Sequence, residues 1–333
     1  MLSAAWTTSD GQQLRDAFHK VRQAVVIVRT EQKELAPFPQ QGLISSDGLG
    51  SGVLISNDGK VLTAAHLVQA ADKTGVEFPD GELIPARVIG SVINADVALL
   101  QLDRAPTSIA PASLGDSDKV EVGDQIFVIG APYGLGQTLT AGHVSGRHQL
   151  DKESENSTTV EFLQTDAAVN GGNSGSPVFS MEGEVVGIVS SIMSRSGGSE
   201  GLAFASTSNT AKRFLLERKP FWSGVEAILV EGDLAKALNL PQPAGVLVQR
   251  VAVGSTAWRL GIHPGTLRAV VEGADLLLGG DVILGVNGIQ VTENNRSDGP
   301  IYNSIGALKP GDSLVIKVFR QGQIVKLSIP VEP

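Results

Sequence analysis

The sequence predicts a mostly β protein of two domains, and three observations carry that expectation. Short runs rich in Val, Ile and Leu recur at close spacing, with glycine-containing turns between them. No convincing helical run precedes Ala211. At 333 residues the chain exceeds one ordinary hydrophobic core. Closely spaced strands of this kind build an antiparallel barrel or sandwich.

Composition narrows the function classes. A net charge of −9 argues against nucleic acid or an anionic membrane as partner. The absence of cysteine excludes a thiol nucleophile, a thiolate metal site and a disulfide framework, and leaves the compartment open. His19, His66, His143, His148 and His263 are scattered without ligand spacing, so no metal is expected. No apolar run approaches the roughly 20 residues of a bilayer-spanning helix, so no membrane-spanning segment is expected. The start, MLSAAWTTSDGQQ, lacks the basic and apolar regions of a signal peptide, as a mature secreted chain also would.

Residues 1 to about 16 read as loose, with Trp6 the only large apolar anchor. Asp16 to Val28 reads as a helical turn entering a strand, and Glu31 to Gly48, rich in Pro, Gln and Gly, as a long loop. Gly50 to Ser56 and Val61 to His66 flank the turn Asn57-Asp58-Gly59-Lys60 and predict a hairpin with His66 at its far end. Further strands are expected at Gly75–Phe78, Ile84–Gly90, Val97–Leu102, Gln125–Ile129, Thr138–Ser145, Val160–Gln164, Val185–Ser190 and Gly201–Ala205. Ala211 to Arg218 reads as a helix stopped by Lys219-Pro220, which sets a domain boundary near 219. Beyond it, a strand-like start (Trp222 to Val230), a helix (Gly232 to Leu238), Gly245 to Val248, a small-residue turn (Val253 to Ala257), Gly280 to Gly288 and a last hairpin (Ser313 to Arg320, Ile324 to Val331) predict a small α+β module.

Three residues stand at strand edges in an informative order. His66 follows an apolar strand among small residues, Asp96 precedes the apolar run Val97 to Leu100, and Ser174 lies in the glycine-rich run Asn170-Gly171-Gly172-Asn173-Ser174-Gly175-Ser176-Pro177. Each alone reads as structural: a satisfied histidine, a strand cap, a turn serine. Together they supply a nucleophile, a base and an orienting acid, and glycines beside the serine leave backbone N–H groups free to hold an oxyanion. The order His, Asp, Ser is that of the two-barrel chymotrypsin-like fold; subtilisin-like and α/β-hydrolase chains order the three differently.

Thr63-Ala64-Ala65-His66, Asp96-Val97-Ala98-Leu99-Leu100 and Gly172-Asn173-Ser174-Gly175-Ser176-Pro177 resemble the three catalytic motifs of trypsin-like serine proteases. The stretches Gly50 to Ile55, Gly123 to Gly134 and Gln164 to Asn170 are similar to the HtrA/Deg family specifically. Gly245 to Val248 and Leu278 to Ile283 resemble a PDZ domain of that family. The resemblance implies an N-terminal segment (1–18), a chymotrypsin-like double β-barrel protease domain (19–218) and a PDZ domain (219–333).

It further implies a serine endopeptidase that degrades unfolded or damaged proteins, in the periplasm or another extracytoplasmic space, as a trimer or higher oligomer, without a cofactor. The catalytic set is His66, Asp96 and Ser174, and the oxyanion hole Gly172, Asn173 and Ser174. The wall of the S1 pocket is Val169, Asn170, Gly201, Leu202, Ala203 and Phe204, with no buried acid, so small or medium apolar side chains are expected at the cleavage position. C-terminal peptides would bind the PDZ groove at Trp222, Ser223, Gly224 and Val225, opposite Ile301 and Ile305.

Two departures bear on readiness. Gly171 stands where the family usually has proline, and Ser176 where it usually has glycine. They predict a mobile oxyanion loop, with Ser176 strained if its φ is positive. Arg147 to Thr159 is the candidate sensing loop. The rival readings are a chaperone-like, non-enzymatic peptide-binding scaffold and a serine hydrolase of esters.

Overall fold

The computed structural model describes residues 9–36, 43–150, 159–271, 273–292 and 300–331. Trp6 and most of the candidate sensing loop lie outside them. Helix α1 (Ser9–Val21) leads through a 3-10 turn, Arg22–Ala24, into β1 (Val25–Leu35), which pairs with β2 (Leu43–Leu54). The stretch read as a long loop is thus largely a hairpin. Its polar strand ends hide the usual alternation, and Arg29–Glu77 and Lys73–Glu31 ion pairs decorate the outer face instead.

The first barrel adds β3 (Lys60–Thr63), the helical turn α2 (Ala65–Val68), β4 (Lys73–Glu77), β5 (Leu83–Val92) and β6 (Val97–Leu102). Gly59 turns the predicted hairpin at φ 88°. The strands close in the order β1-β2-β3-β6-β5-β4. The second barrel closes as β10-β11-β12-β9-β8-β7, from β7 (Gln125–Gly130), β8 (Thr138–Gln149), β9 (Glu161–Thr165), β10 (Pro177–Ser180), β11 (Val185–Ile192) and β12 (Ala203–Thr207). Closure pairs every strand on both sides and leaves no open sheet edge in either barrel. One apolar cluster runs through both, joining Val53, Leu62 and Leu99 of the first to Phe127, Phe179 and Ile188 of the second. Phe127 and Phe179 stack at 5.2 Å inside it.

Helix α3 (Ser208–Ala211) starts three residues before the expected helix because Thr207 Oγ1 accepts from Thr210 N at 3.2 Å and caps it. It continues as a π-helical turn, Lys212–Leu216. The rest of the chain forms a separate sheet in the order β13-β14-β17-β19-β20. Its members are β13 (Val225–Val230), β14 (Gly245–Val251), β17 (Val282–Val286), β19 (Ser313–Arg320) and β20 (Gln323–Pro330), and β18 (Ile289–Gln290) pairs with β17. β13 begins at Val225 rather than Trp222, because Gly224 takes φ 71°. Helices α4 (Gly232–Ala237), α5 (Thr256–Leu260) and α6 (Pro300–Gly306) flank the sheet.

The stretch Thr266 to Leu278 is a hairpin of β15 (Leu267–Val271) and β16 (Ala274–Leu278), tied to β14 by Gln249, whose amide accepts from Leu277 N (2.7 Å) and donates to Leu277 O (3.1 Å). Asp281, buried, accepts from Arg320 Nε and Nη2, both at 2.7 Å, and from His263 N at 2.9 Å. Its carboxylate holds the Arg320 guanidinium charged, raising the arginine further above its ordinary range. This C-terminal unit rests on the first barrel: Ser91 N donates to Phe221 O (3.0 Å), Val253 N donates to Asp72 Oδ1 (2.9 Å), and Arg250 pairs with Glu34 (3.5 Å).

Candidate active site

Thr63, buried at the end of β3, donates from Oγ1 to Ser51 O at 2.7 Å, and the chain turns at once into α2, which carries His66. Asp96 ends the turn between β5 and β6, its N–H donating to Ile93 O at 3.0 Å, with φ 47°. A left-handed aspartate is uncommon and marks a site where the surroundings impose the conformation. It aims the carboxylate back at α2: Oδ1 accepts from His66 N at 3.0 Å and Oδ2 from His66 Nδ1 at 2.9 Å. With Nδ1 donating, the neutral ring presents Nε2 as an acceptor, which is the tautomer a general base needs. Ser190 on β11 adds a donor, Oγ to Asp96 Oδ2 at 2.6 Å. The sequence offers little to find Ser190, since Ser191 beside it reads the same.

Ser174 is held between the barrels. Ser51 N donates to Ser174 O and Gly175 N to Val189 O, both at 2.8 Å, while Ser176 N donates to Asn173 O at 2.9 Å. Gly175 takes φ 82°, and a Cβ there would lie 2.9 Å from Ala64 N, two residues before His66. The three residues are therefore brought to one seam, His66 and Asp96 from the first barrel and Ser174 from the second. Among the described residues no hydrogen bond joins Ser174 Oγ to His66; such contacts tighten when substrate arrives.

The backbone donors beside Ser174 are oriented by what they do not bond. Tyr133 N donates to Gly171 O at 3.0 Å. In a trans peptide the carbonyl and the next N–H point opposite ways, so Gly172 N–H faces away from Tyr133. Among the described residues neither Gly172 N–H nor Ser174 N–H has an acceptor. Asn173 N–H, grouped with them from the sequence, instead donates to Asn170 O at 3.0 Å and closes the turn. Buried Ser51 pins the same loop through its side chain, which donates to Gly172 O (2.9 Å) and accepts from Ala131 N (3.0 Å).

The two departures sit in different surroundings. Gly171 is anchored through its carbonyl, and a Cβ there would meet only Tyr133 Cε1 at 3.8 Å, so the position has room for a side chain. Ser176 is not among the positive-φ residues; the left-handed positions are Gly172 (φ 94°) and Gly175. Ser176 is therefore unstrained. Its buried hydroxyl and Asn173 Oδ1 instead face Gly130, where a Cβ would come within 2.4 Å of both, and among the described residues neither oxygen has a partner.

At the S1 wall, Asn170 Oδ1 accepts from Ser199 N at 2.9 Å, and Val169 is buried. Gly201 takes φ 77°, Leu202 is exposed and Ala203 faces the core. Phe204 points the other way and packs edge-on against His148, so its ring is not part of that wall. Near the turn, Glu200 accepts from Ser196 Oγ and N, and these bonds hold its carboxyl below the usual range. In the C-terminal unit, Ser223, Val225, Ile301 and Ile305 line one cavity of about 570 Å³ together with His66. Among the described residues no cluster of three or more His, Asp or Glu suits a metal.

A model of the trypsin-like peptidase domain matches residues 50–188. A probable periplasmic serine endoprotease, DegP-like, of Hahella chejuensis is 34% identical over 89% of this chain and 59% of its own length. The DegP-like protein of Pseudomonas putida is 37% identical over 86% of this chain and 56% of its own. The chain thus spans between half and two thirds of those curated relatives. Among solved structures, the HtrA-type protease AlgW with decapeptide is 31% identical, with a TM-score of 0.52, over 96% of this chain and 98% of that one. AlgW with tripeptide is 30% identical, with a TM-score of 0.54, over 96% of each.

Proposed function

Because the chain belongs to the HtrA family of trypsin-like serine proteases, we propose that it is a serine endopeptidase acting through Ser174, His66 and Asp96. The observation that carries this reading is the doubly bonded Asp96–His66 pair beside a serine whose neighbouring N–H groups have no acceptor among the described residues.

Ser174 Oγ attacks the substrate carbonyl while His66 Nε2 takes its proton. The oxyanion accepts from Gly172 N–H and Ser174 N–H as the C–O bond forms. His66 then returns the proton to the leaving amine, and water repeats the sequence on the acyl-enzyme. Asp96, itself held by Ser190, keeps the ring tautomer and steadies the imidazolium. No step requires a cofactor.

The C-terminal unit is read as a PDZ domain that takes peptide C-termini by adding a strand beside β13. Quality control of unfolded chains, an extracytoplasmic location and a trimeric assembly follow the same family reading. The relatives named above are described as periplasmic, and no described helix is long and apolar enough to cross a membrane.

An active-site serine reagent tests the core of the proposal. It should label Ser174 in the wild type and lose most of that labelling in His66→Ala. Equal labelling of both would remove the triad, and turnover of a simple ester but not of unfolded casein would favour the ester-hydrolase reading.

A further inference from the structure

Gln69 stands three residues after His66 and joins parts of the molecule that the catalytic chemistry does not use. It is buried. Its Oε1 accepts from Ser91 Oγ at 2.6 Å, which fastens the carboxamide to the strand leading to the Asp96 turn. Its Nε2 donates across to the C-terminal unit, to Val225 O at 2.8 Å and Ser223 Oγ at 2.9 Å. Its backbone carbonyl accepts from Trp222 Nε1 at 3.2 Å.

Those contacts fall where a docked peptide would bond. β13 is an edge strand, with β14 on one side only. A chain added to such an edge donates its backbone N–H to the strand's carbonyls, and its terminal carboxylate accepts from the N–H groups of the preceding loop. The first carbonyl of β13 is Val225 O, and a primary amide already donates to it. The N–H of Val225 is also engaged, donating to Ser223 Oγ at 3.3 Å. Both bonding directions at the first position of the edge are satisfied from inside the molecule.

We infer that Gln69 is an internal occupant of the chain-end site, a carboxamide from the protease barrel in the place of the terminal amide of a bound peptide. This rests on reading residues 222–225 as a peptide-terminus loop. A peptide ending in a free carboxylate enters by displacing Gln69 from Val225 O and Ser223 Oγ, so its affinity is set by competition with the barrel as well as by its own contacts. The gate is therefore built into the segment that carries the catalytic histidine.

The test uses the full chain and a fluorescein-labelled octapeptide ending in two valines, as free acid and as C-terminal amide, titrated by anisotropy. Gln69→Ala should tighten binding of the free acid about tenfold, equivalent to about 1.4 kcal/mol. Gln69→Met, which keeps the volume but removes both donors, should tighten it in the same direction by less. Thermal unfolding of each variant checks that the fold persists. If the free acid binds wild type and both variants alike while the amide binds far more weakly, the chain-end loop stands and the internal occupant is refuted. If acid and amide bind alike, or neither binds any of the three, the loop reading fails and takes the inference with it.

Discussion

Gly172→Ala isolates the oxyanion loop from the rest of the site. The residue sits at φ 94°, a conformation that costs an alanine of order 1–2 kcal/mol. Its Cβ would also lie 2.5 Å from Ala131 O and 2.8 Å from Tyr133 N, both backbone atoms that cannot rotate aside. The cheapest relief is rotation of the 171–172 peptide, which breaks the bond from Tyr133 N to Gly171 O and turns the Gly172 N–H out of the hole. Loss of one such donor costs about 2.7–4 kcal/mol of transition-state stabilisation, or roughly 10²- to 10³-fold in kcat. The interaction forms only as charge develops on the oxygen, so KM should change little. Steady-state kinetics on a fluorogenic peptide give both constants, and a melting curve checks the fold. A kcat within about threefold of wild type, with the fold intact, would show that Gly172 N–H does not serve the hole.

Four other substitutions probe separate links. Ser190→Ala removes a hydroxyl donor from a carboxylate, worth about 1.5–3 kcal/mol, and should lower kcat by roughly 10- to 100-fold; an unchanged kcat would make the bond ornamental. Ser51→Ala strands Gly172 O and Ala131 N, and kcat should fall between wild type and Gly172→Ala; a loss larger than that of Gly172→Ala contradicts a role confined to the loop. Asp281→Ala leaves Arg320 and His263 N–H without their buried acceptor and should destabilise the C-terminal unit by about 3–5 kcal/mol. Chemical denaturation measures that loss, and one below 1 kcal/mol would count against it. Phe179→Ala opens a cavity under Phe127 and should cost about 3–5 kcal/mol, and denaturant midpoints showing no change would mean that the cluster repacks freely.

The candidate set was legible because polar residues at the ends of apolar strands stand out, and because the order of His66, Asp96 and Ser174 separates one fold from its alternatives. Ser51 and Ser190 were not, since a hydroxyl reveals its partner only when distant strands close. The β1–β2 hairpin escaped notice because its far half is polar on the outer face, where ion pairs replace hydrophobic alternation. The strand over-read at Trp222 stops at the left-handed Gly224, a backbone state that composition does not announce. Gln69 carried no signal of its own, since a glutamine after a short helical turn is ordinary until the C-terminal unit is laid against it.

The apolar cluster that passes from Val53 and Leu99 into Phe127 and Phe179 ignores the division into two barrels. The sheet beyond β13 has clusters of its own, around Val248 and Leu284. Heat should therefore melt the molecule along a boundary different from the one the eye draws. The barrels share that cluster, while the second keeps a further one around Val128 and Leu163, and the shared part would make them lose their structure together. The C-terminal sheet is attached by a short linker, a handful of polar contacts and the packing of Trp222 and Tyr302 against the barrel cluster, and it would come undone first and leave the two barrels assembled.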